Sequence, residues 1–373
     1  MKPTLLLAAC LAAFSYTANA SSVTLYGNLD TGFAYVHDKT TTNQVPNGGH
    51  FSETRNSFVM SNGVISDNFI GLKGKEDLGN GMQVGFVLES QFNLSNGDFQ
   101  RHLEEISEDG KPVFGTLLFE REARLFVKGA YGALSIGRMD ALTSSTGSFN
   151  IISRTGDAFE GYGLPFDTRK KLDNAITYQS PEVAGFTGYA QYSLDVGNEQ
   201  NDKFKDNLRY YALGGAFHHE NFNLAGAFEQ YRMPNEYQGK NLYAIHTAAN
   251  MKLGDFTLYG TAAYTKNDGG ASVMIDSVGL VGVNAQNNSN SRHFSLGTKY
   301  EFGSNEVMVG AQFVNGKYDD VKVNCQGAAA RFVHHLSKRT GLYAGTMYSH
   351  SKVKNEILKT NTFSVYAGLK HSF

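Results

Sequence analysis

The chain has 373 residues, a formal net charge of -2, 41 glycines, 20 tyrosines, 26 phenylalanines, 6 prolines and no tryptophan. Near-neutral charge without a basic block argues against a nucleic-acid partner. Apolar residues make up 41%, yet past the N-terminus no stretch approaches the ~18–20 uninterrupted apolar residues of a membrane helix. Many glycines and aromatics without helical runs suit a large antiparallel sheet with tight turns.

The N-terminus carries Lys2, an apolar stretch from Leu5 to Phe14, and Ala18-Asn19-Ala20 before Ser21. That pattern predicts a secretory signal peptide over 1–20, cleaved to leave 21–373. A rival lies inside it, because Leu7-Ala8-Ala9-Cys10 resembles a lipoprotein acylation box. Its apolar core is shorter than the usual ~7–15 residues, which favours cleavage after Ala20. One cysteine, Cys325, then remains, so no internal disulfide framework is expected and the thiol is read as lying in a polar surface loop.

From Val23 onward one unit repeats: an alternating strand, a tight turn, a second alternating strand, a longer polar loop. Strands are predicted near 23–36, 67–76, 82–94, 117–128, 132–139, 174–180, 186–195, 207–218, 222–232, 241–252, 255–265, 292–302, 305–316, 326–336, 340–352 and 361–373. Faces are legible in several. Phe222, Leu224 and Phe228 oppose Asn223 and Glu229; Val307, Val309, Ala311 and Phe313 oppose Glu306, Gly310 and Gln312. This is the two-residue period of a pleated strand. A β-sandwich would alternate too, but with about seven to nine strands per domain and faces packed in pairs. An even strand number behind a signal peptide favours a transmembrane barrel with lipid outside and water inside.

The connections sort by length. Short ones fall at 77–81, 130–131, 180–185, 219–221, 254, 303–305 and 337–339. Long ones fall at 37–66, 95–116, 140–173, 196–206, 233–240, 266–291, 317–325 and 353–360. Short turns on one rim and long loops on the other suit periplasmic and extracellular ends of such a barrel. Within the second loop, Arg101–Lys111 is charged and is read as a short helix. The final strand, Phe363–Phe373, alternates apolar Phe363, Val365, Ala367 and Leu369 with Ser364, Tyr366, Gly368 and Lys370. A strand ending on a bare Phe suits a barrel that must close its sheet, since every backbone donor and acceptor in lipid needs a partner.

Several segments carry a resemblance. Ser22-Val23-Thr24-Leu25-Tyr26-Gly27 resembles the first strand of general diffusion porins of Gram-negative outer membranes, the betaproteobacterial type in particular. Gly71-Leu72-Lys73-Gly74-Lys75-Glu76-Asp77-Leu78-Gly79-Asn80-Gly81 is similar to that family's turn between strands 2 and 3. Arg121-Glu122-Ala123 with Gly137-Arg138 resembles its strand 4–5 hairpin. Asn174 to Glu182 with Ala184-Gly185-Phe186 resembles its strand 6–7 hairpin. The resemblance implies an all-β, sixteen-stranded antiparallel barrel in the outer membrane, a homotrimer, and a third loop folded into the lumen. It also implies that Phe373 is the signal read by the barrel-assembly machinery, and that outer-membrane lipid, lipopolysaccharide and small hydrophilic solutes are the other partners. No cofactor is implied.

Residues 140–173 hold the place of that third loop. Its acids are Asp140, Asp157, Glu160 and Asp167, of which Asp157 and Glu160 sit in an acid–aromatic–Gly stretch, Asp157-Ala158-Phe159-Glu160-Gly161. Read alone, each is a solvated loop charge. The facing basic wall would be Lys73, Lys75, Arg121, Arg124, Arg138 and Lys171. Acids on one side of a narrow lumen and fixed cations on the other make a transverse field that sorts polar solutes. Parity makes Arg124 inward if Ala123, Leu125 and Val127 face out, whereas the resemblance favours Arg121, and a regular strand cannot hold both. Phe69 stands where many relatives carry Arg, which counts against strong anion selectivity.

Adjacent His218-His219 and His334-His335 point to opposite faces and suit no shared metal. No nucleotide-cradling glycine loop and no spaced Cys/His set is present. A passive channel for ions and small hydrophilic solutes is therefore the leading expectation. A substrate-specific sugar or anion channel is the alternative, and a barrel enzyme or surface adhesin comes further behind.

Overall fold

The computed structural model describes residues 22–45, 49–99, 101–106, 112–159, 171–196, 204–234, 240–267, 289–318, 321–353 and 358–373. The expected signal peptide, Glu160 and Asp167 lie outside them. The wall begins with β1 (Ser22–Val45), β2 (Gly49–Asn62), β3 (Phe69–Gly79) and β4 (Met82–Gln91). A small separate hairpin follows, β5 (Arg101–Ile106) and β6 (Pro112–Thr116). Then come β7 (Glu122–Gly129), β8 (Gly132–Asp140), a one-and-a-half-turn helix α1 (Ile151–Gly156), β9 (Lys171–Gln179) and β10 (Phe186–Ser193). The rest is β11 (Arg209–His219), β12 (Phe222–Arg232), β13 (Leu242–Leu253), β14 (Phe256–Lys266) and β15 (Ser289–Phe302). β16 (Asn305–Tyr318), β17 (Val321–His335), β18 (Thr340–Val353) and β19 (Leu358–Ser372) complete it.

Each strand pairs antiparallel with its neighbour, and β19 pairs with β1 from Asn28↔Ser372 to Thr42↔Leu358. On its other side β1 pairs with β3 through Ser22–Asn28 and with β2 through Thr31–Val45. β2 and β3 are thus two halves of one stave, and the barrel has sixteen. The last residue seals the seam. Phe373 donates its backbone N–H to the Gly27 carbonyl at 3.1 Å, and Gly27 donates back at 3.2 Å. The Phe373 ring lies over Gly27, where a Cβ would stand 2.6 Å from its Cζ. Closure leaves no open edge at this seam, which matters because each unpaired backbone group in lipid costs several kcal/mol.

The period-two pattern turns apolar side chains outward. Leu125, Leu213, Ile245 and Leu296 are exposed at 56%, 65%, 54% and 72%, an arrangement stable against lipid and not against water. Tight turns join the strands along one rim. At the β3–β4 turn Asn80 (φ 51) and Gly81 (φ 75) both take positive φ, as a two-residue turn that follows the sheet's twist requires.

Three expected loops are wholly or partly taken up by strand. β1 and β2 occupy most of 37–66, and 317–325 and 353–360 shrink because β16 to β19 run on past their expected ends. At 24 residues, β1 far exceeds the ~9–11 that cross a bilayer. Thr-rich polar stretches such as Thr40-Thr41-Thr42 read as loop, yet threonine suits a paired strand. The predicted helix at Arg101–Lys111 is also overturned, since Arg101–Ile106 is a strand of the small hairpin. Cys325 sits in β17 opposite Ser351 and not in a loop.

Candidate functional site

The segment following β8 turns inward and runs round the inner wall. Thr143 donates to Glu229 Oε2 at 2.7 Å, Tyr210 donates to the same oxygen at 3.0 Å, and His246 Nε2 lies 3.2 Å from Oε1. Glu229 is wholly buried. Leu142 donates its N–H to Gln191 Oε1 at 3.1 Å, and Gln191 returns Nε2 to the Asp140 carbonyl at 2.8 Å. Helix α1 then lies on β11 to β14, where Asn250 Nδ2 donates to the Thr155 carbonyl at 2.8 Å. Further on, Ala158 meets Gly297, and Phe159 covers Gly310 and carries the Arg331 guanidinium 5.0 Å above its ring.

Small residues on the wall make this docking possible. Ala212, Ala216, Ala225, Ala227, Ala244 and Ala248 are buried together with Leu142, Phe149, Ile151 and Ile152. A Cβ on Gly156 would stand 2.5 Å from the Gly260 carbonyl oxygen and 2.8 Å from Ala248 Cβ, so a side chain there would push the helix off. Leu142 and Ile152 are fully buried. At about 1.5–3 kcal/mol per buried aliphatic side chain, these two alone hold the segment by several kcal/mol.

The opposite part of the wall carries charge. Register places Gly71, Lys73 and Lys75 of β3, Val87 and Glu89 of β4, and Glu122 and Arg124 of β7 on the lumen face. Arg121 donates Nε to Glu89 Oε2 at 2.8 Å, pairs with Asp67, and lies 4.7 Å above the Phe69 ring. Tyr26 donates to the other Glu89 oxygen at 2.7 Å. Arg124 pairs with Glu122, reaches Ser135 Oγ at 3.2 Å, and sits within 5.3 Å of the Phe149 ring of the inward segment. Glu122 also accepts from Ser148 Oγ at 2.7 Å, so the charged wall grips the segment directly.

The conflict between Arg121 and Arg124 dissolves at the strand's start. β7 begins at Glu122, so Arg121 precedes the regular alternation and both guanidiniums turn to the interior. Lys73 is exposed to the lumen, with its ammonium 4.3 Å above the Tyr26 ring. Lys75 is exposed two residues nearer the short-turn rim.

Four expected residues make local contacts of their own. Asp140 is wholly buried, paired with Lys171 and accepting the Ser148 N–H at 2.9 Å. It ties the neck of the segment, and its carboxylate takes the space a side chain at Gly147 (φ 100) would need. Lys171 is consumed in the same pair. Arg138 shares the face of Leu134 and Ile136, both exposed on the outside, and its guanidinium is taken by the Glu120 carbonyl and Asp173. Asp157 caps α1 and accepts the Phe159 N–H at 2.9 Å.

The residues that sequence reasoning missed are Tyr26, Asp67, Glu89, Glu122, Glu229 and Arg331. Glu122 sits in a strand whose parity is read through Arg124, and that parity alone could have found it. Glu120, in the connection before β7, accepts the Gln91 N–H at 3.0 Å. Burial pushes its carboxyl up to about 7, against the opposing pull of Lys171, Arg121 and Arg138.

A closed sixteen-stave barrel with an inward segment and lipid-facing aliphatics is matched by the family model described as Gram-negative porin, over residues 7–354. The chain belongs to that family. It is 30% identical over 412 residues to an outer membrane porin protein of Bordetella pertussis, covering 100% of both chains. It is 26% identical to the major outer membrane protein P.IB of Neisseria meningitidis, covering 99% of each. Among solved structures, an anion-selective porin from Comamonas acidovorans shares the fold with a TM-score of 0.64 at 22% identity, over 95% of this chain and 100% of that one. This porin is a multi-pass protein of the outer membrane and a passive channel for diffusion across it.

Proposed function

We propose that this porin filters ions and small hydrophilic solutes where the 141–159 segment narrows the lumen opposite Lys73, Arg121 and Arg124. One observation carries the reading: that segment is buried along the inner wall, gripped by Glu229 on one side and Glu122 on the other. A water-filled pore so narrowed selects by radius and by local field. The wall arginines are each paired with a carboxylate beside them, so the field across the lumen is weak and charge preference modest. Asp157 adds a negative charge on the segment side, and Glu160 and Asp167 belong to the same loop.

The comparison structure from Comamonas acidovorans is called anion-selective. Here Glu89, Asp67 and Glu122 oppose that preference. The channel works as a homotrimer, as an outer membrane protein of Vibrio cholerae in its trimer form does. Residues 1–20 direct export and are removed. Phe373 is the assembly signal, and no catalytic step is invoked.

Planar-bilayer recording tests this directly. The expected record has conductance rising in groups of three equal steps, and Asp157→Asn moves the reversal potential in a salt gradient toward anions. A single unitary level with no trimer on native gels overturns the trimeric channel. Unchanged reversal potentials remove Asp157 from the filter.

A further inference from the structure

The outer face carries a recess that neither the lumen nor barrel closure uses. Across β9 to β12 the outward residues form successive rows toward the long-loop rim. The first row is Tyr178, Ala190, Leu213 and Phe228, and the second holds Ile176, Tyr192 and Tyr211. Ala190 is the short member of its row, and the surrounding side chains enclose a groove of about 440 Å³. Apart from Gln191, whose side chain is turned to the lumen side, its lining is aliphatic and aromatic, as an acyl chain requires.

The next row is Arg209 opposite Arg232. Their neighbours Tyr210 and Tyr231 are buried on the lumen side, so both arginines lie on the outer face. Like charges directly across a strand pair are destabilising, and a guanidinium cannot discharge itself by losing a proton. Arg209 is only 7% exposed, and its Nε meets no acceptor among the described residues. Its guanidinium is packed 4.7 Å from the Phe204 ring, and the Tyr192 and Tyr211 rings of the adjacent row stand 4.9 Å apart. A belt of interfacial aromatics would account for the tyrosines. It leaves two facing arginines with no carboxylate paired to them among the described residues.

We propose that this is a lipid site: one acyl chain of a phosphorylated membrane lipid fills the groove, and its phosphate sits between Arg209 and Arg232. The order of the rows fits an amphiphile whose head lies at the long-loop rim and whose tail points toward the bilayer centre. Arginine suits such a head because its planar fork matches phosphate oxygens. Two fixed cations near the surface favour an anionic over a zwitterionic headgroup by about tenfold.

The absence of tryptophan from the chain makes a clean reporter possible. Phe228→Trp places one indole in the wall of the groove, and Leu224→Trp places one on the same face of β12 nearer the short turn. Each protein is reconstituted in phosphatidylcholine vesicles with brominated-acyl phosphatidylglycerol or brominated-acyl phosphatidylcholine as quencher. At position 228 the phosphatidylglycerol is expected to quench at about tenfold lower mole fraction. Arg209→Gln with Arg232→Gln abolishes that preference, and position 224 shows none. Equal quenching by both lipids at 228, or a preference that survives the double substitution, overturns the site. Loss of preference in millimolar inorganic phosphate would assign the arginines to a soluble anion, and shielding of 228 from both quenchers would assign the groove to another protein; either overturns the lipid proposal. Native mass spectrometry of the unsubstituted porin, which should retain phosphatidylglycerol adducts that the double Gln variant loses, repeats the test without the reporter.

Discussion

Strands β11 to β16 present alanine, glycine and threonine to the lumen, and the 141–159 segment lies on them. Strands β3, β4 and β7 present Lys73, Glu89, Glu122 and Arg124, and the inward segment brings Phe149 against Arg124 at their edge. The two halves of one wall thus follow different rules. The first is shaped by packing: small residues are needed because a chain segment must fit between wall and water. The second is shaped by charge balance: each guanidinium has its carboxylate on the same or the neighbouring strand. On the proposed reading, pore radius is set by the first half and ion preference by the second.

The two contributions can be separated experimentally. Deleting Thr146–Asp157 removes the helix and the turn before it while leaving β8 and β9 intact. Unitary conductance should rise by about twofold or more, because the narrowest part of a water-filled pore dominates its resistance. Recordings of the deletion with unchanged conductance would place the restriction elsewhere. Glu229→Ala is milder. It leaves Thr143, Tyr210 and His246 without their shared acceptor, at a cost of about 1–3 kcal/mol per buried group left unsatisfied. The trimer should dissociate at a lower temperature on heated gels and the open current should grow noisier, with selectivity unaltered.

The smallest expected effect is at Glu120. Its raised carboxyl pKa means the folded protein holds the proton more tightly than the unfolded chain does. Stability therefore falls as pH rises from the ordinary carboxyl range through about 7, where burial of the ionised group is fully felt. Glu120→Gln keeps an acceptor for the Gln91 N–H. It should raise the heat-dissociation temperature at pH 8 and leave it unchanged at pH 5. A shift of equal size at both pH values would assign the effect to packing.

Much of the barrel was legible because a lipid-facing strand has one task per face. Alternation in Phe222–Phe228 and Val307–Phe313 gave the outward side, and tight turns such as Asn80-Gly81 gave the short rim. Strand ends were not legible, because beyond the bilayer the outward face meets water and the alternation fades, as in Thr40–Thr42. The site was legible only by composition. Asp140 and Lys171 read as opposing charges across a lumen, but spacing along the chain does not reveal that they pair with each other at the segment's neck. Arg138 was misplaced for a simpler reason: its parity with Ile136 was readable and pointed outward. Glu229 was seen only as the polar face of its strand, since nothing local shows that a segment 86 residues away donates to it.

The central claim is that the wall arginines are compensated by their own neighbours. Reversal potentials in a salt gradient, measured for the unsubstituted porin and for Glu89→Gln with Glu122→Gln, test it most directly. The unsubstituted channel should reverse near zero, and the double variant, with Arg121 and Arg124 released from those two carboxylates, should reverse well toward the chloride equilibrium potential. A strongly anion-selective unsubstituted channel, or a double variant with the same reversal potential, would contradict the account.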